Sequence, residues 1–310
     1  MTMPFGYVSP EQAMRDKADY ARKGVARGRS CVTLQYAGGI LLVTPNASSA
    51  LHKISELYDR IGFAAVGRFP EYENLRKAGV TYADVTGYQF DRADVTARGI
   101  ANWYAQNLGE IFTASLKPFE VEIAVAEVGT TPDTDQIYRI TFDGTVSDEP
   151  GFVAFGGQAD PVADVLKERF SDGMSLTEAL GVALEALAAP SSGSSSSSGN
   201  GQSAAELTAD KLEVAILDRA RAHRTFRRLR GARLEELLAE SRSGSSSSSQ
   251  ASSSESTDPD SGSGSSGGGK DSGDKDSGDK ASGEKSGSGG DEPPTGPAAT
   301  GGDGIPKPGK

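Results

Sequence analysis

Disulfide chemistry is missing from this chain. Its one cysteine, Cys31, excludes an internal bridge and suits a reducing compartment. Also missing is any apolar run near the roughly 20 residues that a membrane-spanning helix needs. The first residues carry no apolar core followed by a cleavage site, so the expectation is a soluble, cytoplasmic protein with no membrane partner. Positive charge is in the minority, 32 Lys and Arg against 43 Asp and Glu, for a formal charge of −11.

Apolar residues are scarce in one large part of the chain. From Ser243 to Lys310 the sequence is nearly all Ser, Gly, Asp, Lys and Pro, with a short imperfect Asp-Ser-Gly-Asp-Lys repeat. Such a segment cannot bury enough surface to offset its chain entropy, and residues 243–310 read as a disordered tail. A second low-complexity run, residues 191–203, interrupts the folded part; loop-closure entropy grows slowly with length, so it fits in a surface connection.

What is present is an ordered series of elements. Ser9 and Pro10 open a helix expected to reach about Arg22 and to stop at Gly24. Ser30–Tyr36 and Ile40–Thr44 flank the Gly38-Gly39 turn as a hairpin. Lys53–Asp59 and Phe63–Val66 suit another pair of strands, although Ile54, Leu57 and Ile61 also suit a short helix. Past Pro70 the apolar period becomes helical through Tyr72, Leu75, Gly79 and Tyr82, and again from Ile100 to Phe112. Strands are expected at Phe119–Val128, Gln136–Phe142 and Gly151–Ala154, and helices at Pro161–Phe170 and Leu176–Ala188, the latter behind a Ser175/Glu178 capping box. Leu212–Leu217 and Thr225–Leu229 read as strands and Ala232–Glu240 as a closing helix. This order predicts two facing sheets with helix layers outside.

Together, Tyr7–Met14, Tyr36-Ala37-Gly38-Gly39, Lys53–Arg60, Asn74–Val80 and Phe152–Gly157 resemble actinobacterial proteasome α subunits, over nearly all of residues 1–240. The resemblance implies an α+β fold, the four-layer αββα sandwich of N-terminal nucleophile hydrolases, spanning residues 10–242. In the sister β subunits the nucleophile is an N-terminal threonine assisted by a lysine and an aspartate. Counted from the shared Gly-Gly turn, the threonine position here is Arg29 and the aspartate position Pro45; only the lysine position is kept, as Lys53. The resemblance therefore implies a subunit with no catalytic residue, metal or cofactor.

Competing readings remain. Thr2 would become terminal on loss of Met1, but it lies a whole helix upstream of the first strand. Autocleavage near Ser30 or Cys31 would make an N-terminal nucleophile hydrolase, although Arg27-Gly28-Arg29 marks no cleavage site. The arginines at 219, 221, 224, 227, 228, 230 and 233 invite a nucleic-acid reading, but the chain is acidic and Phe226 is the one interleaved aromatic, so no nucleic-acid partner is expected.

The resemblance implies that Lys53 meets the terminal carboxylate of the tails of a hexameric proteasomal ATPase, between neighbouring α subunits, a task suited to a compact ammonium. Gly67 is implied as a second pocket position, where missing bulk admits a peptide backbone. Residues Met1, Thr2, Met3, Pro4, Phe5, Gly6, Tyr7, Val8 and Ser9 are implied to form a gate, converging on the axis of a heptameric α ring. Further implied partners are the β subunits and protein substrates in transit, marked by a small disordered ubiquitin-like modifier. The acidic tail reads as a spacer, a site of serine modification or an interaction arm, and its ending, Pro308-Gly309-Lys310, is not an α-pocket motif.

Overall fold

The computed structural model describes residues 9–189 and 207–250, with side chains through Ser243. The expected gate residues Met1–Val8, the low-complexity run 191–203 and the tail beyond Gln250 lie outside the described residues.

Helix α1 (Pro10–Ala26) starts where Ser9 accepts a hydrogen bond from the Gln12 N–H at 3.2 Å, with Pro10 in the first turn. Strands β1 (Cys31–Tyr36) and β2 (Gly39–Pro45) form the expected hairpin, pairing from Tyr36↔Gly39 to Val32↔Val43. Gly39 has φ +147, and a Cβ there would collide with the Leu217 carbonyl, so the turn and the neighbouring strand both require glycine. Strands β3 (Ile54–Tyr58) and β4 (Ile61–Gly67) follow, then helices α2 (Phe69–Gln89) and α3 (Ala97–Ala114). Next come β5 (Val121–Glu127), β6 (Gln136–Ile140), β7 (Val146–Asp148) and β8 (Phe152–Phe155), then α4 (Ala159–Arg169) and α5 (Leu176–Ala188). Strands β9 (Leu212–Asp218) and β10 (Phe226–Leu229) and helix α6 (Gly231–Gln250) complete the order.

The strands make two five-stranded antiparallel sheets, β10-β9-β2-β1-β8 and β3-β4-β5-β6-β7. Their two-residue alternation sorts the apolar side chains into three cores. Ile40, Leu42, Leu217 and Phe155 of the first sheet meet Ile54, Ala64, Ala124 and Ala126 of the second. Bulky side chains from one sheet thus face alanines from the other, which lets the sheets pack closely. The outward face of the first sheet, with Leu34, Leu41 and Val43, is covered by Leu180, Leu184, Leu234 and Leu237 of α5 and α6. The outward face of the second, with Phe63, Ile123 and Val125, is covered by Tyr72, Leu75, Ile100 and Tyr104 of α2 and α3. The result is the four-layer αββα sandwich expected from the order of elements.

The structure departs from local expectations in three places and resolves an ambiguity in a fourth. Helix α1 does not stop at Gly24 but runs through it to Ala26, because Gly24 packs against the Glu120 side chain with no room for a Cβ. The Ile54/Leu57 ambiguity resolves as strand: an odd number of positions apart, the two bury on opposite faces, Ile54 between the sheets and Leu57 under the helices. Strand β7, short and without a buried residue, left no apolar signature to read. Helix α6 continues past Glu240 to Gln250, since extending a formed helix is far easier than starting one.

One packing contact offers a direct check. The Tyr104 hydroxyl donates to the Leu75 carbonyl at 2.9 Å, and it occupies the space a Cβ on Gly79 would need. Gly79→Ala is expected to lower stability by about 1–3 kcal/mol in chemical denaturation. Combined with Tyr104→Phe, which removes the obstructing hydroxyl, it should cost less than the sum of the two single changes.

Candidate functional site

One end of the sandwich is organised by a carboxylate. Glu213, on β9 opposite Thr44 of β2, is only 6% exposed. Burying a carboxylate is costly unless it is paired and hydrogen-bonded, and Glu213 is both. The Arg228 guanidinium forms a close ion pair with it, and His52 Nδ1 lies 3.3 Å from Oε1. Oε2 accepts from the Lys53 N–H at 2.9 Å and from Asn46 Nδ2 at 2.8 Å, and Oε1 from the Ile54 N–H at 3.3 Å.

These bonds shape the loop joining β2 to β3. Asn46 Nδ2 also donates to the Leu51 carbonyl at 2.8 Å, while Asn46 Oδ1 accepts from the Ser48 N–H at 3.0 Å. Ser48 Oγ accepts in turn from the Leu51 N–H at 3.0 Å. Arg228 closes the other side by donating to the Ile54 carbonyl at 2.7 Å. Lys53, the last residue before β3, is therefore held at its backbone.

The Lys53 side chain is partly buried, and among the described residues its ammonium makes no hydrogen bond or ion pair. Burial pulls its pKa below the usual lysine value of 10.5; nearby Arg29 pulls the same way, and Cys31 and Glu213 oppose. Cys31 itself, fully buried between the sheets, is pushed up to about 12, so its thiol stays protonated and unreactive at neutral pH.

The structure brings together the three positions compared with a catalytic triad. Arg29 and Lys53 lie within electrostatic reach of one another, and Pro45 ends β2 opposite Leu212. None of the three has a hydroxyl, thiol or carboxylate. Ser30 is buried, its Oγ accepting from the Gln158 N–H at 3.1 Å and its carbonyl from the Thr44 hydroxyl at 3.1 Å. Thr2 lies outside the described residues.

Gly67 closes β4 at the same end of the sheet, two residues beyond Ala65, whose N–H donates to the Lys53 carbonyl at 2.9 Å. Its φ is +125, and a Cβ would strike the Glu120 carbonyl, so folding alone requires glycine. The Glu120 carboxylate, 2.9 Å from Lys117 Nζ, accepts from the Tyr20 hydroxyl of α1 at 3.3 Å. Lys17 Nζ donates to the Phe112 and Thr113 carbonyls at 3.2 and 3.3 Å. Helix α1 is thereby fixed to the body, and Ser9, its cap, is the point from which the preceding residues leave.

Sequence reasoning missed Glu213; the available signal was one acidic residue within the apolar run Leu212–Leu217. The clustered arginines have intrachain partners in six of seven cases. Arg219 binds Asp135 in a fork at 2.7 Å, and Arg224, Arg227 and Arg233 pair with Glu56, Asp218 and Glu236. Arg228 holds Glu213, and Arg230 reaches His52 Nε2 at 3.3 Å.

The lowered pKa of Lys53 has a consequence for stability. Between that value and 10.5 the unfolded chain binds more protons than the folded one, so stability rises with pH across this window. Below it, the charged lysine opposes folding. Lys53→Met is expected to raise the melting temperature at neutral pH, with the gain shrinking as pH approaches 10.5, measured by thermal unfolding of both proteins over a pH series.

Comparison with known proteins agrees with this geometry. A family model described as proteasome subunit matches residues 25–205. A proteasome subunit alpha of Streptosporangium roseum is 64% identical over 245 residues, covering 79% of this chain and 90% of that protein. One from Thermomonospora curvata is 62% identical over 240 residues, covering 77% and 99%. One from Saccharopolyspora erythraea is 58% identical over 246 residues, covering 79% and 92%. With a sandwich of the proteasome type and relatives this similar over most of its length, the chain belongs to the actinobacterial proteasome α-subunit family.

Proposed function

We propose that this chain is a non-catalytic α subunit that forms the outer heptameric rings of a cytoplasmic proteasome core particle, gates substrate access and docks the tails of a hexameric ATPase. The observation that carries the reading is Lys53: a partly buried ammonium, rigid at its backbone, with no partner of its own among the described residues. Such a group favours an incoming anion, and a chain-terminal carboxylate has the right charge and size. Gly67, at the same end of the sheet, is assigned as the second pocket position on the family resemblance alone, since the Glu120 carbonyl takes the space of its missing side chain.

The gate is assigned to residues 1–9. Helix α1 is tied down at Lys17, Tyr20 and Gly24, so Ser9 releases the first eight residues from a fixed position. Repeated around a ring, one short segment per subunit is enough to close an axial pore. Several weakly held tails on one ring gain through effective concentration, so a small pocket per subunit supports stable docking. Proteins carrying a ubiquitin-like modifier would then pass to the β-subunit chamber, where hydrolysis occurs.

Against the alternative, an N-terminal nucleophile hydrolase cut near Ser30 or Cys31, stand the burial of both residues and the raised thiol pKa. Cutting there would also detach α1, whose Val25 is part of the core between the sheets. A nucleic-acid partner is disfavoured by the intrachain pairing of the arginines.

Particles reconstituted with the cognate β subunit test both parts. An α subunit lacking Met1–Val8 is expected to raise small-peptide hydrolysis several-fold over the full-length form. Lys53→Ala is expected to remove the stimulation of protein degradation by the ATPase. Equal peptide hydrolysis with and without the first eight residues would refute the gate; full ATPase stimulation of Lys53→Ala particles would refute the docking role.

A further inference from the structure

We propose that Glu213 and Arg228 form a positioning pair for tail docking, setting the Lys53 backbone while keeping the Lys53 ammonium available to a carboxylate from another chain. This inference rests on Lys53 being the docking residue.

Glu213 has two ways to act on Lys53. Its carboxylate accepts from the Lys53 and Ile54 N–H groups at 2.9 and 3.3 Å, fixing where β3 begins and so where the lysine side chain emerges. A buried carboxylate this near a lysine would ordinarily capture its ammonium, since the low local dielectric strengthens the attraction. Here that does not occur. Arg228 pairs closely with Oε1, with His52 Nδ1 3.3 Å away, while Asn46 Nδ2 at 2.8 Å and the Lys53 N–H take Oε2. Both oxygens are occupied by other donors, and no ion pair forms between Glu213 and the Lys53 side chain.

The chemistry explains why an arginine holds this position. Its planar fork reaches the Ile54 carbonyl with Nη2 at 2.7 Å while Nη1 meets Glu213. A single ammonium does not offer that two-point geometry. The pair thus joins β9, β10 and the start of β3, so the pocket lysine is referenced to the first sheet as well as to its own.

The test uses assembled α/β particles and a fluorescent peptide with the C-terminal residues of the proteasomal ATPase, made as the free acid and as the C-terminal amide. The readout is the ratio of the two dissociation constants, because a general loss of stability does not alter a preference for the charged terminus. Wild-type particles are expected to favour the free acid about tenfold or more, the scale of one charge-assisted hydrogen bond. Lys53→Ala should abolish the preference, Glu213→Gln should reduce it severalfold, and the double variant should resemble Lys53→Ala alone.

Asn46→Ala, in a partly exposed loop, supplies an independent variant should Glu213→Gln fail to assemble, and should also reduce the preference. If Lys53→Ala keeps the preference, the docking reading fails and this inference with it. If Lys53→Ala loses it while Glu213→Gln, or Asn46→Ala when the former does not assemble, keeps the wild-type ratio, the docking reading stands and the positioning role is overturned.

Discussion

The face-to-face packing of the two sheets is the constraint on which the other features depend. Leu42, Leu217 and Phe155 on one side and Ala64, Ala124 and Ala126 on the other bring the sheets close, and this fixes the relative position of strand ends that are remote in sequence. Arg29 before β1, Pro45 at the end of β2, Lys53 before β3 and Glu213 on β9 meet at one end because those strands are bound within this sandwich. In a fold whose strands end together in this way, a change of a few residues alters the chemistry of that end and leaves the scaffold intact.

That end is electrostatically specialised. Nucleophilic chemistry there would need a hydroxyl or thiol that can lose its proton, but the one thiol is buried and held protonated, and Ser30 is buried with its hydroxyl oxygen accepting from the Gln158 N–H. Cationic character remains in Lys53, while the buried Glu213 carboxylate is paired with Arg228. Leaving a partly buried lysine without a counter-charge of its own lowers stability, as its depressed pKa indicates. Local instability of this kind is common where a site must bind something absent from the resting protein.

The sequence disclosed much of this and hid some of it, for physical reasons. Strong periodicities such as Tyr72–Tyr82 and the Ser175/Glu178 capping box gave α2 and α5, the box closing at 2.8 Å and 3.3 Å. Gly38-Gly39 gave the first hairpin. Gly24 misled, because glycine marks close packing as well as helix ends, and here Glu120 made the difference. Lys53 was legible through family resemblance and its spacing from the Gly-Gly turn. Glu213 was not, because its partners Asn46, Lys53 and Arg228 are brought to it by strand pairing and sheet packing that no local pattern encodes.

The central claim is that this end of the sandwich receives a partner and does not cut one. The most direct test is the intact mass of the α chain recovered from active particles co-assembled with the β subunit, together with the peptidase activity of α alone. The account predicts a chain that keeps its N-terminal residues and α1, and no hydrolysis by α alone. A chain beginning at Ser30 or Cys31, with peptide cleavage in the absence of β, would contradict it.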